Sequence, residues 1–395
     1  MYISIMRTIT AGLFKKIKKR RILVLSGGGL KGGLQCLYLL ATGEAWEIIA
    51  HAFIPYPQKI SALLDTLNKT SGNALPAADL AHIDYRMSLF YTECARTVLA
   101  KLPTVLKKPH CAVLNKACFW KGSTGEEQQQ TYWDLPMGDA QHLAGSLDIP
   151  VLTDLIRHRC IAGGEAALPN ILGNIHLATA IGGTVLFLNI GLVARMTVVD
   201  TKKSEILIDS DTGPGTCCIN SVMQRITAGT ENEKFDRDGT LAGQGTVNGN
   251  CLQRLSEFPW FSKPAPKQAE PELFEPLAED DELSALSDAD RLATITALTA
   301  RSIYNFYRTE SRSARDDQIV VLSGGGSNNQ TLTGYIATYF DSIPVKSIER
   351  YGIPADMRIP LALGLTVNAH IGGTAIPWET GSNPTVQPMG KWVFP

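Results

Sequence analysis

Val24-Leu25-Ser26-Gly27-Gly28-Gly29 and Val321-Leu322-Ser323-Gly324-Gly325-Gly326 are the same six residues, VLSGGG, met twice in one chain. Each closes an apolar, β-branched run, Ile22-Leu23-Val24-Leu25 in the first and Ile319-Val320-Val321-Leu322 in the second. A run of that kind bounded by glycine predicts a buried strand entering a turn. With no Cβ in the way, the turn lets backbone N–H groups approach a ligand. Beyond the glycines the two copies diverge. After the first come an apolar run over 34–41, a Thr42-Gly43-Glu44 turn and a third run over 46–54, which reads as a β-meander and not as the strand-to-helix step of a P-loop. After the second come Ser327-Asn328-Asn329-Gln330-Thr331, which begin with helix-capping side chains, then Leu332, Tyr335, Ile336 and Tyr339 at helical spacing. Strand, glycine turn and helix N-terminus in that order make a site for a phosphate or a nucleoside. A plain strand-to-helix turn is the competing reading.

Further out the pattern repeats in part. A strand over 184–190 breaks at Gly191, resumes over 196–200 and, past Lys202-Lys203, continues over 205–208. Helical spacing of apolar residues covers most of 58–102 and again 290–308. Residues 262–290 mix Pro264, Pro266, Pro271 and Pro276 with seven acids between Glu270 and Glu282, a surface excursion whose charges read as a solvated face and not as a metal site.

At 395 residues the chain exceeds one compact core, so two domains with a cleft between them are expected. A net charge of -1 gives no reason to expect nucleic acid or an anionic membrane as partner. The 8 cysteines are scattered without zinc-site pairing or disulfide density, which favours a reducing, cytoplasmic setting. No run of 18 apolar residues predicts a membrane span. Residues 1–21 hold seven Lys or Arg and no acid; they read as a disordered basic extension, with a targeting presequence as the alternative.

Gly27-Gly28-Gly29-Leu30-Lys31-Gly32 also satisfies G-x-G-x-x-G, but that fingerprint requires a helix to follow. It resembles as well the oxyanion loop of patatin-like hydrolases, yet no serine here has the G-x-S-x-G context which that chemistry needs. His142, His158 and His176 stand at no ligand spacing. Trp120 and Trp133 read as core or cleft-wall residues that can also stack on a pyranose. Cys217-Cys218 packs a helix after a glycine loop.

Five spaced blocks resemble the anhydro-N-acetylmuramic acid kinase family, which includes the levoglucosan kinases. They are Met137-Gly138-Asp139-Ala140 with 149–157 and Ala162-Gly163-Gly164, then Leu188-Asn189-Ile190-Gly191, Asp211-Thr212-Gly213-Pro214-Gly215, Asp236-Arg237-Asp238-Gly239 through Lys267, and Gly324-Gly325-Gly326-Ser327-Asn328. The resemblance covers nearly all of 22–395. It implies a two-lobed α/β fold of the actin, Hsp70 and sugar-kinase (ribonuclease H-like) type with a central cleft, the first lobe at 22–140 plus about 360–395 and the second at 141–359. It implies ATP and Mg²⁺ as cofactors, a small 1,6-anhydro sugar as partner, and room for a homodimer. The family's reaction opens the anhydro ring by water attack while O6 takes the γ-phosphoryl group.

By the same resemblance Asp154 is the base that takes a proton from water, a role that requires an ionised carboxylate within hydrogen-bond reach. Ser26, Gly27, Gly28, Gly29, Lys31, Asn189, Gly191, Asp211, Thr212, Gly213, Gly215, Gly324, Gly325, Gly326 and Asn328 fall at nucleotide-binding positions. Asp139, Arg157, Gly163 and Gly164 fall at substrate positions. Several residues depart from the family pattern. Lys31 stands where the first motif carries Asp, Leu114-Asn115-Lys116-Ala117-Cys118 replaces "SHGQT", Asn189 to Arg195 replaces "NIGGIAN" with Arg195 in the place of its last Asn, and Ile359 replaces an acid. An ammonium in place of a carboxylate reverses the sign where metal and triphosphate are handled. Two readings therefore stay open: a kinase in which Lys31 and Arg195 meet the phosphates directly, or a homologue that keeps the nucleotide pocket as a binding or regulatory protein.

Overall fold

The computed structural model describes residues 17–27, 32–69, 76–124, 131–161, 170–227, 235–310, 317–374 and 389–395. It divides into two compact units, Met1–His176 with Ile359–Pro395, and Leu177–Arg358.

In the first unit β1 (Lys19–Gly27), β2 (Gly33–Thr42) and β3 (Ala45–Pro55) form an antiparallel meander. Helices Gln58–Lys69 and Ala77–Ala100 then carry the chain to β4 (Cys111–Asn115), which lies parallel to β1 on its other side. A separate ribbon of β5 (Cys118–Thr124) and β6 (Thr131–Pro136) follows, then helix Ala140–Leu147 and β7 (Val151–Thr153), parallel to β4. Strand Lys391–Val393 closes the far edge against β7. Leu23, Leu25, Leu34 and Tyr38 on the sheet bury against Ile83, Met87, Phe90 and Tyr91 of the long helix. Each such aliphatic side chain stabilises the fold by roughly 1.5–3 kcal/mol.

The second unit is wound the same way. Here β8 (Thr184–Ile190), β9 (Val193–Asp200) and β10 (Glu205–Pro214) form the meander, β11 (Gln318–Ser323) lies parallel to β8, and β12 (Val345–Ser347) is parallel to β11. Leu186, Leu188, Met196 and Val198 pack against Ile219 and Val222, Leu292 to Leu298 of helix Asp288–Glu310, and Leu332 and Ile336. A meander whose first strand is extended by parallel strands, present in both units, is the ribonuclease H-like architecture of two-lobed α/β proteins.

Three boundaries differ from the sequence expectation. β1 begins at Lys19 because the ladder to β2 continues through Lys19 opposite Thr42. β10 runs on to Pro214, past a register shift between Asp211 and Gly213, so Asp211 lies within a strand. Residues 141–176, placed by sequence in the second lobe, group with the first unit, where β7 hydrogen-bonds to β4. The acidic excursion is a surface of short turns: Arg254 pairs with Asp280 and Glu282, and Arg225 with Glu279. No helix among the described residues is long and apolar enough to cross a membrane.

Candidate functional site

Ligands of open α/β sheets bind beyond the carboxyl ends of the parallel strands. In the first unit those ends bring together Ser26 and Gly27 of β1, Asn115 and Lys116 at the end of β4, and Asp154 after β7. Ser26 is buried, and the Asn115 side-chain amide donates to its Oγ at 3.3 Å. A Cβ on Gly27 would stand 2.7 Å from the Ala117 nitrogen, so glycine is what lets the chain after β4 pass so close. That chain is itself fixed: Ala117 N–H donates to Tyr91 Oη at 2.9 Å, and Tyr91 donates on to the Met137 carbonyl at 3.2 Å.

Asp154 sits in a left-handed turn, φ 55°, between β7 and helix Leu155–Ile161. For a residue with a Cβ this costs about 1–2 kcal/mol, the kind of local strain that clusters at functional sites. Lys116 Nζ lies 2.8 Å from Asp154 Oδ1, with the two side chains 14% and 18% exposed. Oδ1 is enclosed and receives no hydrogen bond of good geometry among the described residues, so this contact is an ion pair without the angle of a hydrogen bond. By sequence, 114–118 reads only as a lost sugar-binding strand. The pair spans 116 to 154, and no spacing rule reveals it.

Of the substrate candidates, Asp139 is the N-cap of helix Ala140–Leu147: its exposed carboxylate accepts from Gln141 N–H at 2.9 Å. Arg157 is exposed on helix Leu155–Ile161. Gly28, Gly29, Lys31, Gly163 and Gly164 lie outside the described residues, as do the side chains of Trp120 and Trp133.

In the second unit three loops pack on one another at the carboxyl edge of β8 and β11. Gly324 has φ 87°, and a Cβ there would meet the Ile190 carbonyl oxygen at 2.6 Å. Gly215 presses on Gly191, where a Cβ would come within 2.2 Å of its oxygen, and Thr216 N–H donates to that oxygen at 2.8 Å. Ser323 Oγ lies 3.4 Å from Asn189 Oδ1, and Gly326 backs onto Ile190 and Thr216. Asn189, Gly191, Asp211, Thr212, Gly213, Gly215 and the short turn Gly325–Asn328 are thus gathered at one edge. Thr212 is buried and donates to the Ala194 carbonyl, a bond that ties β10 to β9. Gly325 faces open space, and its amide and that of Gly326 have no acceptor among the described residues.

Arg195, which meets phosphate in one of the two readings left open by the sequence, is engaged within the protein. Its Nε donates to Asp209 Oδ1 at 2.9 Å, Nη1 to Asp211 Oδ1 at 3.0 Å and Nη2 to the Asp209 carbonyl at 3.3 Å. Burial pulls its pKa down, but the two carboxylates outweigh burial and hold it above the ordinary arginine value. The other Asp211 oxygen accepts from Ala269 N–H at 2.9 Å. The physical reason is topological: Arg195 lies opposite Asp211 across the β9–β10 ladder.

Sequence reasoning missed Arg358, which is 2% exposed beneath the second glycine turn. Its Nε donates to Ser323 Oγ at 3.0 Å and its guanidinium lies 5.0 Å from the Phe187 ring centroid. Burial lowers it to about 10, opposed by the charge of Asp209. The available signal was an arginine directly ahead of an apolar helical run, 359–367. Lys267, in the family's proline-lysine block, is also buried; its Nζ donates to the Phe261 carbonyl at 2.8 Å, while its own carbonyl accepts from Asp211 N–H at 3.0 Å.

These contacts bear on a divalent ion. Asp154 faces Lys116, and Asp209 and Asp211 share Arg195, so each already has a protein cation. Among the described residues no group of three acidic, His or Cys side chains could hold a metal. A divalent ion therefore does not fit at Asp211, both of whose oxygens are taken, and Asp209 Oδ1 already accepts from Arg195 and Thr197.

Two units of one winding, each a meander extended by parallel strands, define the class: a two-lobed α/β protein of the actin, Hsp70 and sugar-kinase type. The family model for anhydro-N-acetylmuramic acid kinase matches residues 19–387, and the chain belongs to that family. Relatives carrying that name include one from Gloeobacter violaceus, 29% identical over 378 residues, 92% of this chain and 94% of that protein. Another, from Streptomyces coelicolor, is 31% identical over 263 residues; this stretch is 63% of the chain and 62% of that relative's length. Among solved structures, component A of the (R)-2-hydroxyglutaryl-CoA dehydratase of Acidaminococcus fermentans aligns with 89% of this chain and 99% of its own, at 13% identity and a TM-score of 0.42.

Proposed function

We propose that this protein is an ATP-dependent kinase of a 1,6-anhydro sugar. Asp154 takes a proton from water as the water oxygen attacks C1. The C1–O6 bond breaks, O6 takes the γ-phosphoryl group, and ADP leaves. The observation that carries this reading is Asp154 itself, ionically paired in a left-handed turn at the carboxyl end of the parallel strands, in a chain that matches the family over 19–387. Phosphoryl transfer needs positioning and charge neutralisation more than covalent help. The amides of Gly325 and Gly326, with the Asp211 to Gly215 loop packed beside them, are the donors assigned to phosphate, while Asn189 and Asn328 flank the same edge. A divalent ion, when bound to the nucleotide, supplies further neutralising charge.

Isothermal titration with ATP, with and without Mg²⁺, followed by coupled ADP release on levoglucosan and on 1,6-anhydro-N-acetylmuramic acid, tests the reading. Nucleotide binding together with turnover of one of the two sugars is the expected result. The occupied carboxylates favour a second reading, a homologue that binds nucleotide without efficient chemistry, and ATP binding with no turnover would select it. No binding of ATP would leave the fold alone.

A further inference from the structure

We propose that Lys116 is a positioning residue that presents Asp154 for catalysis, a role that rests on the kinase reading above. The ammonium and carboxylate meet at 2.8 Å, and both side chains are largely enclosed, so this is not a solvated surface pair that water and salt would loosen. Each partner is held by its own backbone. On one side, Gly27 lets residues 115–117 pass close to β1, and Tyr91 clamps Ala117 through its hydroxyl. On the other, Asp154 sits in its left-handed turn with its carbonyl accepting from His158 N–H at 3.1 Å, while Thr153 Oγ1 donates to the Leu114 carbonyl at 3.0 Å and ties β7 to β4. The ends of β4 and β7 are thereby locked in register, and the side chains that leave them converge.

Lys116 has three N–H donors and no acceptor, so it can restrain one carboxylate oxygen and has nothing with which to take the proton that Asp154 must accept. Oδ1 is the enclosed oxygen that faces it. The geometry thus divides the carboxylate: Oδ1 anchors to Lys116, and Oδ2 is the oxygen left for water. A base held by a neighbour whose own backbone is fixed keeps the productive geometry without reorganisation during the reaction.

The test compares wild type with Lys116→Met, Lys116→Arg, Asp154→Asn and the Lys116→Met/Asp154→Asn double variant. Turnover of the anhydro sugar and thermal melting are both measured at near-neutral pH. The expected result is a fall in kcat of at least about tenfold for Lys116→Met, with KM for ATP within about twofold of wild type. Lys116→Arg recovers a substantial part of that loss, and the double variant is no slower than Asp154→Asn alone. A Lys116→Met enzyme as fast as wild type or faster overturns the proposal, since the lysine would then be idle or would be sequestering the base. So does a loss that adds in full to that of Asp154→Asn, or one that appears only in KM for ATP. Melting separates misfolding from misplacement: with Asp154 intact Lys116→Met lowers the midpoint, and in the Asp154→Asn background it does not. No such coupling overturns the pair whatever the turnover. An inert wild type with the coupling intact overturns the kinase reading and the positioning role with it, whereas an active wild type indifferent to Lys116 overturns only the positioning role.

Discussion

At the scale of single residues, charge is what separates this chain from a plain reading of its motifs. Arg195 is tied to Asp209 and Asp211, with its side chain 21% and theirs 12% exposed. Removing one partner of such a group leaves the others desolvated and uncompensated. Arg195→Leu is expected to destabilise the second unit by about 3 kcal/mol, read as a lower urea midpoint; an unchanged midpoint would mean the carboxylates find water instead. Gly325 gives the opposite kind of prediction, because nothing stands within reach of an added Cβ. Gly325→Ala should melt within about 2 °C of wild type yet bind ATP at least tenfold more weakly, about 1.4 kcal/mol, if its amide meets phosphate. Equal affinity in a titration would remove that turn from the nucleotide site. The sequence singled out Asp154 and the glycine positions because motif blocks preserve order and spacing. The partners of Asp154 and Arg195 were not: Lys116 reaches Asp154 only through the pairing of β4 with β7, and Arg195 meets Asp211 only across a strand ladder.

At the scale of elements, the meanders and the long helix Asp288–Glu310 were readable, since β-branched runs bounded by glycine and apolar residues at helical spacing are local signals. Short connectors were less so; the acidic excursion resolves into turns whose order comes from Arg254, a residue outside it. Asp280 caps the turn that begins at Asp281 and receives both Nη atoms of Arg254, at 2.6 and 2.5 Å. Those bonds from Arg254 hold its carboxyl below the ordinary value of 3.8, against a smaller opposing effect of burial. With the folded pKa depressed, the contribution is complete above 3.8 and is lost as pH falls through the folded value. Asp280→Asn, which keeps a capping side chain, should therefore melt below wild type at near-neutral pH, and the gap should close as the solution is acidified below that value. A gap that stays constant down the acid limb would show that the carboxylate's charge plays no part.

At the scale of the whole molecule, the class was legible and the division of the chain was not. The boundary near 140 read from sequence ignores β7, a strand of three residues, too short to register as an apolar run. Ligand binding should act on the second unit as linkage requires: ATP at about 100 times its Kd stabilises the folded state by about 2.7 kcal/mol. Hydrogen exchange should then slow at Asn189 to Gly191, Gly213 to Thr216 and Gly324 to Asn328, the loops that pack together there. Uniform slowing across the unit, with no focus on those amides, would argue against them as the grip on phosphate.

The shared winding of the two units also settles the kinship of the two identical hexapeptides. The first ends β1, the opening strand of its meander; the second ends β11, which lies parallel to β8 as β4 lies parallel to β1. Superposing like strand on like strand matches the first VLSGGG with the segment ending Asn189-Ile190-Gly191, and the second with the one ending Asn115-Lys116-Ala117. The repeated words are thus look-alikes at non-homologous addresses, and any half-to-half comparison anchored on them is out of step by a full strand. Aligned by architecture instead, Lys116, which pairs with Asp154, occupies the same rung as the triple-glycine bend of the other half.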